Sequence, residues 1–329
     1  MTVLESLLDA GVHLDAEYGD GLASHLPMTL VALHALGATD ARLQAFATAY
    51  ARKLGAAPPA EDWPAGDAWQ SRLGQPAAWP MYRSLFALWL FHESPDAVLA
   101  QVLPVLFRGS GAAAFHGLIR TAYAVLAGHR GELADGLAYW ACRHLELPRG
   151  DGAGDGAADE ADPALVLGSQ WQALAGWRSA ERLIVQRMRH AVLQPAVGAH
   201  EARLRVDAAT LGKLARLALR LYARSGDFSV LHLVTGCHAM QVLLPFVDAP
   251  LAAVRDFWTA FAAAAATVAP PARSAVKPAR LEWPEIVARA LASDDEHAIK
   301  LVCACRELER VHGWDDCRAA AARGVVTAA

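Results

Sequence analysis

Val102-Leu-Pro-Val-Leu-Phe107-Arg-Gly109-Ser-Gly111-Ala-Ala-Ala114-Phe-His116-Gly-Leu-Ile-Arg120-Thr-Ala-Tyr123 is the stretch on which the fold turns. Gly109, Gly111 and Ala114 match the G-x-G-x-x-A form of a dinucleotide-binding fingerprint, and an apolar run precedes them. That fingerprint works only where a strand leads into it and a βαβ unit surrounds it. Here Pro104 interrupts the run, and the residues downstream keep the three- and four-residue apolar spacing of a helix. The small residues are read as close helix packing just ahead of His116. The chain is therefore expected to be all-α, a single large helical domain covering residues 1–329.

Outward from this stretch the same period recurs. Met28 to Leu33, Arg42 to Leu54 and Leu211 to Arg224 fit a helical stripe, and no run of β-branched alternation with hairpin turns argues for a sheet. Three irregular segments punctuate the pattern. Residues 56–80 carry five prolines interleaved with Trp63, Trp69 and Trp79, read as an ordered loop over the core. Residues 150–163 are Gly, Ala and acid with a final Pro, expected to be flexible; residues 270–284 form a basic, proline-punctuated connector.

Hydrophobic residues make up 54% of the chain and charged ones 19%, too apolar for disorder over most of its length. A net charge of −4 offers no basic field for phosphates, so nucleic acid is not an expected partner. The most apolar stretch, 251–270, is interrupted by Arg255 and Asp256, which argues against a membrane span. The N-terminus has Glu5 and Asp9 in place of a positive leader, and five cysteines lack CxxC spacing. A cytoplasmic protein with reduced thiols is the expectation, its oligomeric state left open.

The chemistry lies in histidines set inside apolar segments. His25, His116, His129 and His232, with Lys300, are too dispersed for a zinc finger and would have to converge within a helical core, where bundles build metal sites. His25 precedes Pro27 and an apolar run, so it stands at a helix start, where the dipole disfavours its imidazolium. His116 has Gly117 beside it, leaving room for something bulky. His129 follows thirteen residues later and could face His116 across a hairpin, with Glu132 orienting it. His232 lies four residues into Phe228-Ser-Val-Leu-His232-Leu-Val-Thr235-Gly-Cys237-His238, and Lys300 closes Glu296-His297-Ala-Ile-Lys300. A lone interior histidine usually hydrogen-bonds a carbonyl, and His13, His34, His92, His144, His190, His200 and His312 are read that way. For Lys300 the residues alone favour an ion pair with Glu296 one turn away. Tyr123, Tyr139 and Trp140 could wall an aromatic pocket.

Ser24-His-Leu-Pro-Met28, the block 107–143, Leu231-His-Leu-Val-Thr-Gly-Cys-His-Ala-Met240 and Asp294-Asp-Glu-His-Ala-Ile-Lys-Leu-Val-Cys-Ala-Cys-Arg-Glu307 together resemble the questin oxidase-like family. The Phe115–Ala124 block is the most specific, whereas Ser24 departs from the more usual Asn-His-x-Pro-Met. The resemblance implies an α-helical oxygenase that opens a ring of a polycyclic aromatic polyketide such as an anthraquinone. It implies a buried mononuclear non-haem Fe(II) between helices, with O2 as co-substrate and a requirement for NAD(P)H left open. Carried onto the matching motifs, the metal ligands are His25, His116, His129, His232 and Lys300, the last as a CO2-derived carbamate. His232 and His238 compete for one of these places. His238, Glu132 and Thr235 are then expected near the chemistry, and Arg120 and Tyr123 beside a small aromatic substrate. Two alternatives stand beside this reading: a zinc-type hydrolase on the same histidines, and a non-catalytic helical scaffold.

Overall fold

Helix ends fall where side chains satisfy the free N–H groups of a first turn. Thr2, Thr39, Ser94, Asp162, Asp227 and Asp295 each accept such an N–H. At the far ends, Gly128, Gly226 and Gly313 take the left-handed conformation that closes a helix without steric cost. The computed structural model describes residues 1–150, 160–269 and 281–327. Among these it holds sixteen α-helices. The first seven are α1 Val3–Gly11, α2 Leu26–Ala35, α3 Asp40–Ala51, α4 Trp79–His92, α5 Pro95–Leu106, α6 His116–Ala127 and α7 Arg130–Cys142. Then come α8 Pro163–Ala173, α9 Ile184–Ala191, α10 Pro195–Glu201, α11 Thr210–Ser225 and α12 Phe228–Leu243. The chain closes with α13 Pro250–Ala266, α14 Trp283–Ala292, α15 Glu296–His312 and α16 Asp315–Thr327.

Four of these helices form the frame for everything functional. α6 packs against α2 and α12, and α15 packs against the same two from the other side, closing a ring α2–α6–α12–α15. Their sequences explain the position: a helix apolar all round belongs inside. Residues 26–33 of α2, 116–124 of α6 and 229–240 of α12 are buried without a break. α7 lies against the outside of α6 at close range. A Cβ on Gly117 would stand 2.7 Å from Trp140 Cα, so the bulky neighbour anticipated beside Gly117 is the backbone of α7. By contrast, α11 buries only one stripe (Leu214, Ala218, Leu221, Tyr222) and turns Arg216 and Arg220 to Asp316 on α16. Among the described residues one helix, Phe228–Phe246, is long and apolar enough to cross a membrane, and 72% of its apolar window is buried inside the protein.

The dinucleotide-binding reading fails on the element before the glycines. Pro104 sits inside α5, a helix and not a strand, and Gly109 and Gly111 follow in a tight turn. A Cβ on Gly109 would meet the His144 ring, and one on Gly111 the Met188 methyl, so these glycines serve packing. The tryptophan-rich loop is ordered: Trp63 packs on Tyr82 and Trp69 on Phe86 and Trp89. A two-residue antiparallel pair, β1 Glu17–Tyr18 with β2 Leu22–Ala23, is too short to be foreseen from alternation. Of the segment expected to be flexible, 151–159 lies outside the described residues. Its end is ordered, since Glu160 bridges to Leu204 and Asp162 caps α8. Likewise 270–280 lies outside, while Trp283 begins α14.

Candidate metal centre

The four ring helices present their N-termini at one end, and each brings a nitrogen donor there. His25 immediately precedes α2, His116 is the first residue of α6, and His232 is the fifth of α12. α15 brings two groups, His297 and, three residues on, Lys300; that spacing puts both on one face. The rings are in contact. His25 lies over His116 with centroids 4.7 Å apart and edge-on to His297 at 4.5 Å; His232 stands 5.0 Å from His116 and 5.6 Å from His297.

Local backbone fixes where each ring nitrogen points. Ala113, Ala114 and Phe115 are three consecutive residues with positive φ (45°, 56° and 70°), a strained turn that leads into α6 at His116. The turn aims Ala113 O back at His116, whose Nδ1 donates to it at 2.5 Å. His232 Nδ1 donates to Phe228 O at 2.8 Å. With both Nδ1 atoms protonated, both Nε2 atoms carry lone pairs, the arrangement that outer hydrogen bonds impose on metal-ligating histidines. His25 Nε2 faces His116 Nε2 at 2.7 Å, so His25 supplies the proton of that contact. Its Nδ1 is buried without a hydrogen-bond partner and lies 3.7 Å from Glu296 Oε1. The His25 backbone N–H donates to the Tyr50 hydroxyl at 2.9 Å, anchoring the turn into α2.

Electrostatically the site refuses protons. Burial pushes the His116 imidazolium down to about 3, and burial with the neighbouring cationic groups holds His25 and His232 well below the usual range. His297 is also depressed by burial, partly countered by its hydrogen bond to Asp295. Burial brings the Lys300 ammonium down to about 7 against the opposing pull of Glu296 and Asp295. Among the described residues no ion pair joins Lys300 to Glu296, whose carboxylate faces His25 instead. Four converging helix N-termini add to this, because their dipoles disfavour cations and favour an anion. His25, Glu296 and His297 also place donor atoms within 4.8 Å of one another. Neutral imidazoles, an amine near its titration point and a carboxylate are together a donor set for a borderline dication.

A cavity of about 310 Å³ opens from this cluster to solvent. His25, His116, His232 and His297 form its floor, and Ala113 and Ala114 contribute small walls. The β1–β2 hairpin (Tyr18, Leu22, Ala23) and the start of α9 (Leu183, Ile184, Arg187) complete it, with Phe228 over the rings of His232 and His297. Its size lies within the roughly 300–1,000 Å³ of small-molecule sites.

Several residues expected here lie elsewhere. His129 caps α7: its Nδ1 accepts the Glu132 N–H at 3.0 Å, and its Nε2 meets Asp9 Oδ1 at 3.1 Å. Both nitrogens are committed, and the ring does not face His116. The Glu132 carboxylate holds Arg120 through two bonds of 2.6 and 2.9 Å, and Arg120 also reaches Asp135, which Arg83 grips from the other side. Arg120 and Glu132 are thus a buried ion-pair network between α6 and α7, not cavity residues. The Thr235 hydroxyl bonds back to Leu231 O, and the Tyr123 hydroxyl reaches Lys300 O at 3.3 Å. Tyr139 and Trp140 bond Glu17 and Gly109 O. Six residues beyond His232, His238 is turned well away around α12 and packs on Tyr123. His297 is the group the sequence reading passed over; its signal was the three-residue spacing to Lys300 behind an aspartate cap. Nor does the tryptophan-rich loop line the cavity.

A family model described as Questin oxidase-like matches residues 22–305. The match covers most of the chain, and the chain belongs to that family, which supports an oxidoreductase. No curated protein matches it.

Proposed function

We propose that this questin oxidase-like chain is a non-haem iron oxygenase that opens a ring of a polycyclic aromatic polyketide, and that His25, His116, His232, His297 and Lys300 hold its iron. The observation that carries this reading is the convergence of four imidazoles on the floor of a ligand-sized cavity, with the buried Lys300 near enough to help depress His25 and His116. The donors fit the metal on this chain's own evidence. Two imidazoles already have Nδ1 committed to backbone carbonyls, and the His25 Nδ1 is a buried atom without a hydrogen-bond partner. His297 takes the place that the family resemblance gave to His129.

Bound ferrous iron would supply the electrons that make dioxygen reactive toward an aromatic ring. The protein's part is to hold it, exclude water and keep protons away. Lys300 contributes only as an anion. At neutral pH an ammonium near 7 leaves a large share of free amine. Its nitrogen lone pair forms a bond to the carbon of CO2 and releases a proton, giving a carbamate whose oxygens ligate as a carboxylate would. The four helix N-termini stabilise that negative charge. Glu296 sets a carboxylate 3.7 Å from the His25 Nδ1, and Phe228 packs over two of the rings.

Oxygen uptake with hydroxyanthraquinones, measured on protein loaded anaerobically with Fe(II) and bicarbonate, tests this. The expected result is substrate-dependent O2 consumption that a chelator abolishes. Stoichiometric zinc with no O2 consumption would replace this reading with the hydrolase.

A further inference from the structure

The cavity wall is mainly apolar apart from its histidine floor, and two arginines line it in unlike states. Arg182, at the mouth and largely exposed, is paired with Asp20 on the hairpin turn at 3.1 Å. Arg187 is half-buried, one turn after Ile184 on α9, and both face the cavity from the same side of that helix. The Arg187 Nε is buried and has no hydrogen-bond partner, and among the described residues no carboxylate pairs with its guanidinium. The next residue, Met188, is locked beneath Gly111, which fixes the angle at which α9 presents Arg187. A guanidinium is always charged, and its planar fork matches a carboxylate or phenolate oxygen. The half-buried Arg187 thus keeps one desolvated donor, its Nε, without an acceptor, which is costly, and an incoming anionic oxygen removes that cost.

We propose that Arg187 is the substrate-binding residue that anchors an anionic oxygen, a carboxylate or an ionised phenol, on an edge of the aromatic ligand held in this cavity. The substrate class is thereby narrowed from flat aromatics in general to those carrying an acidic oxygen at one edge. The assignment rests on the reading of this cavity as the substrate site. Arg120, the cation expected beside the aromatic substrate, is unable to serve because Glu132 and Asp135 already neutralise it.

The test is equilibrium binding, read by tryptophan fluorescence, to full-length wild-type, Arg187→Leu and Arg187→Lys proteins, each with and without iron. The ligands are matched acid and amide pairs: anthraquinone-2-carboxylate with its carboxamide, and 2-naphthoate with 2-naphthamide. A 1,8-dihydroxyanthraquinone and its dimethyl ether separate phenolate from carboxylate. The expected result is a loss of roughly tenfold or more for an anionic ligand in Arg187→Leu, partly restored in Arg187→Lys. The neutral partner should change by less than about twofold. Equal losses for the charged and neutral ligands would show Arg187 to be packing only, and unchanged binding of both would also overturn the proposal. Should naphthoate show the Arg187 dependence while no anthraquinone binds, the polyketide reading falls and the anion anchor stands. Anthraquinone binding indifferent to charge would do the opposite, sparing the polyketide reading and removing the anchor. No binding by any ligand removes both.

Discussion

His238 is wholly buried, packs its ring 5.9 Å from Tyr123, and has a hydrogen-bond partner at neither ring nitrogen among the described residues. Burial pushes its imidazolium down to about 4 from an ordinary 6.5. The unfolded chain therefore takes up a proton near pH 6.5, while the folded chain resists it until about 4. Below 6.5 the unfolded state binds more protons, so stability falls as pH falls, and the loss saturates once the folded form also protonates. At pH 8 this residue costs nothing through titration; at pH 5 it costs about 2 kcal/mol. Replacing it with leucine removes that cost and leaves the other buried histidines unchanged. Urea unfolding of the metal-free wild-type and His238→Leu proteins at both pH values should thus show the variant about 2 kcal/mol better, relative to wild type, at pH 5 than at pH 8. Whatever leucine gains or loses in packing is common to both conditions and cancels. A difference between the two conditions under about 0.5 kcal/mol would mean that His238 protonates freely in the folded state, and the reasoning would fail.

Glu132→Ala should destabilise the fold by about 3–5 kcal/mol, because it leaves the buried Arg120 only Asp135, which Arg83 already shares, yet the folded fraction should bind metal as wild type does; thermal unfolding beside metal analysis checks both. Gly117→Ala forces α6 off Trp140 and should cost about 1–3 kcal/mol and weaken metal binding by moving the adjacent His116. Wild-type affinity in that variant would show that the close approach of α6 to α7 does not position the ligand. Ala113→Gly relieves one left-handed residue and should raise stability by about 0.5–1 kcal/mol in denaturant unfolding; a loss would mean that the turn is not strained.

The helical fold was legible because several all-apolar and several striped helices leave no sequence consistent with a sheet, and Pro104 gave away the false nucleotide motif. Three of the histidines that meet, His25, His116 and His232, were readable as polar residues inside segments too apolar to be surface. His129 misled for a physical reason. A histidine three residues before a glutamate at a helix start looks the same whether its ring accepts the first-turn N–H or faces a metal, and only the position of Asp9, far away in sequence, decides it. His297 was hidden by the converse, since a histidine among Asp294, Asp295 and Glu296 reads as a solvated helix start. Arg120 was mistaken for a cavity cation because its partners lie one helix away, across a packing interface that no local pattern encodes. Arg187 gave no signal, as its role depends on α9 folding over a cavity built from four other helices.

The central claim is that the metal belongs to the ring α2–α6–α12–α15 and not to the α6–α7 hairpin. Metal content per folded chain, measured after anaerobic Fe(II) loading with bicarbonate, decides it in two variants. His297→Ala should lose the iron that wild type holds at about one per chain. His129→Ala should keep it while losing about 1 kcal/mol of stability with its helix cap. Iron retained in His297→Ala and lost in His129→Ala would contradict the account.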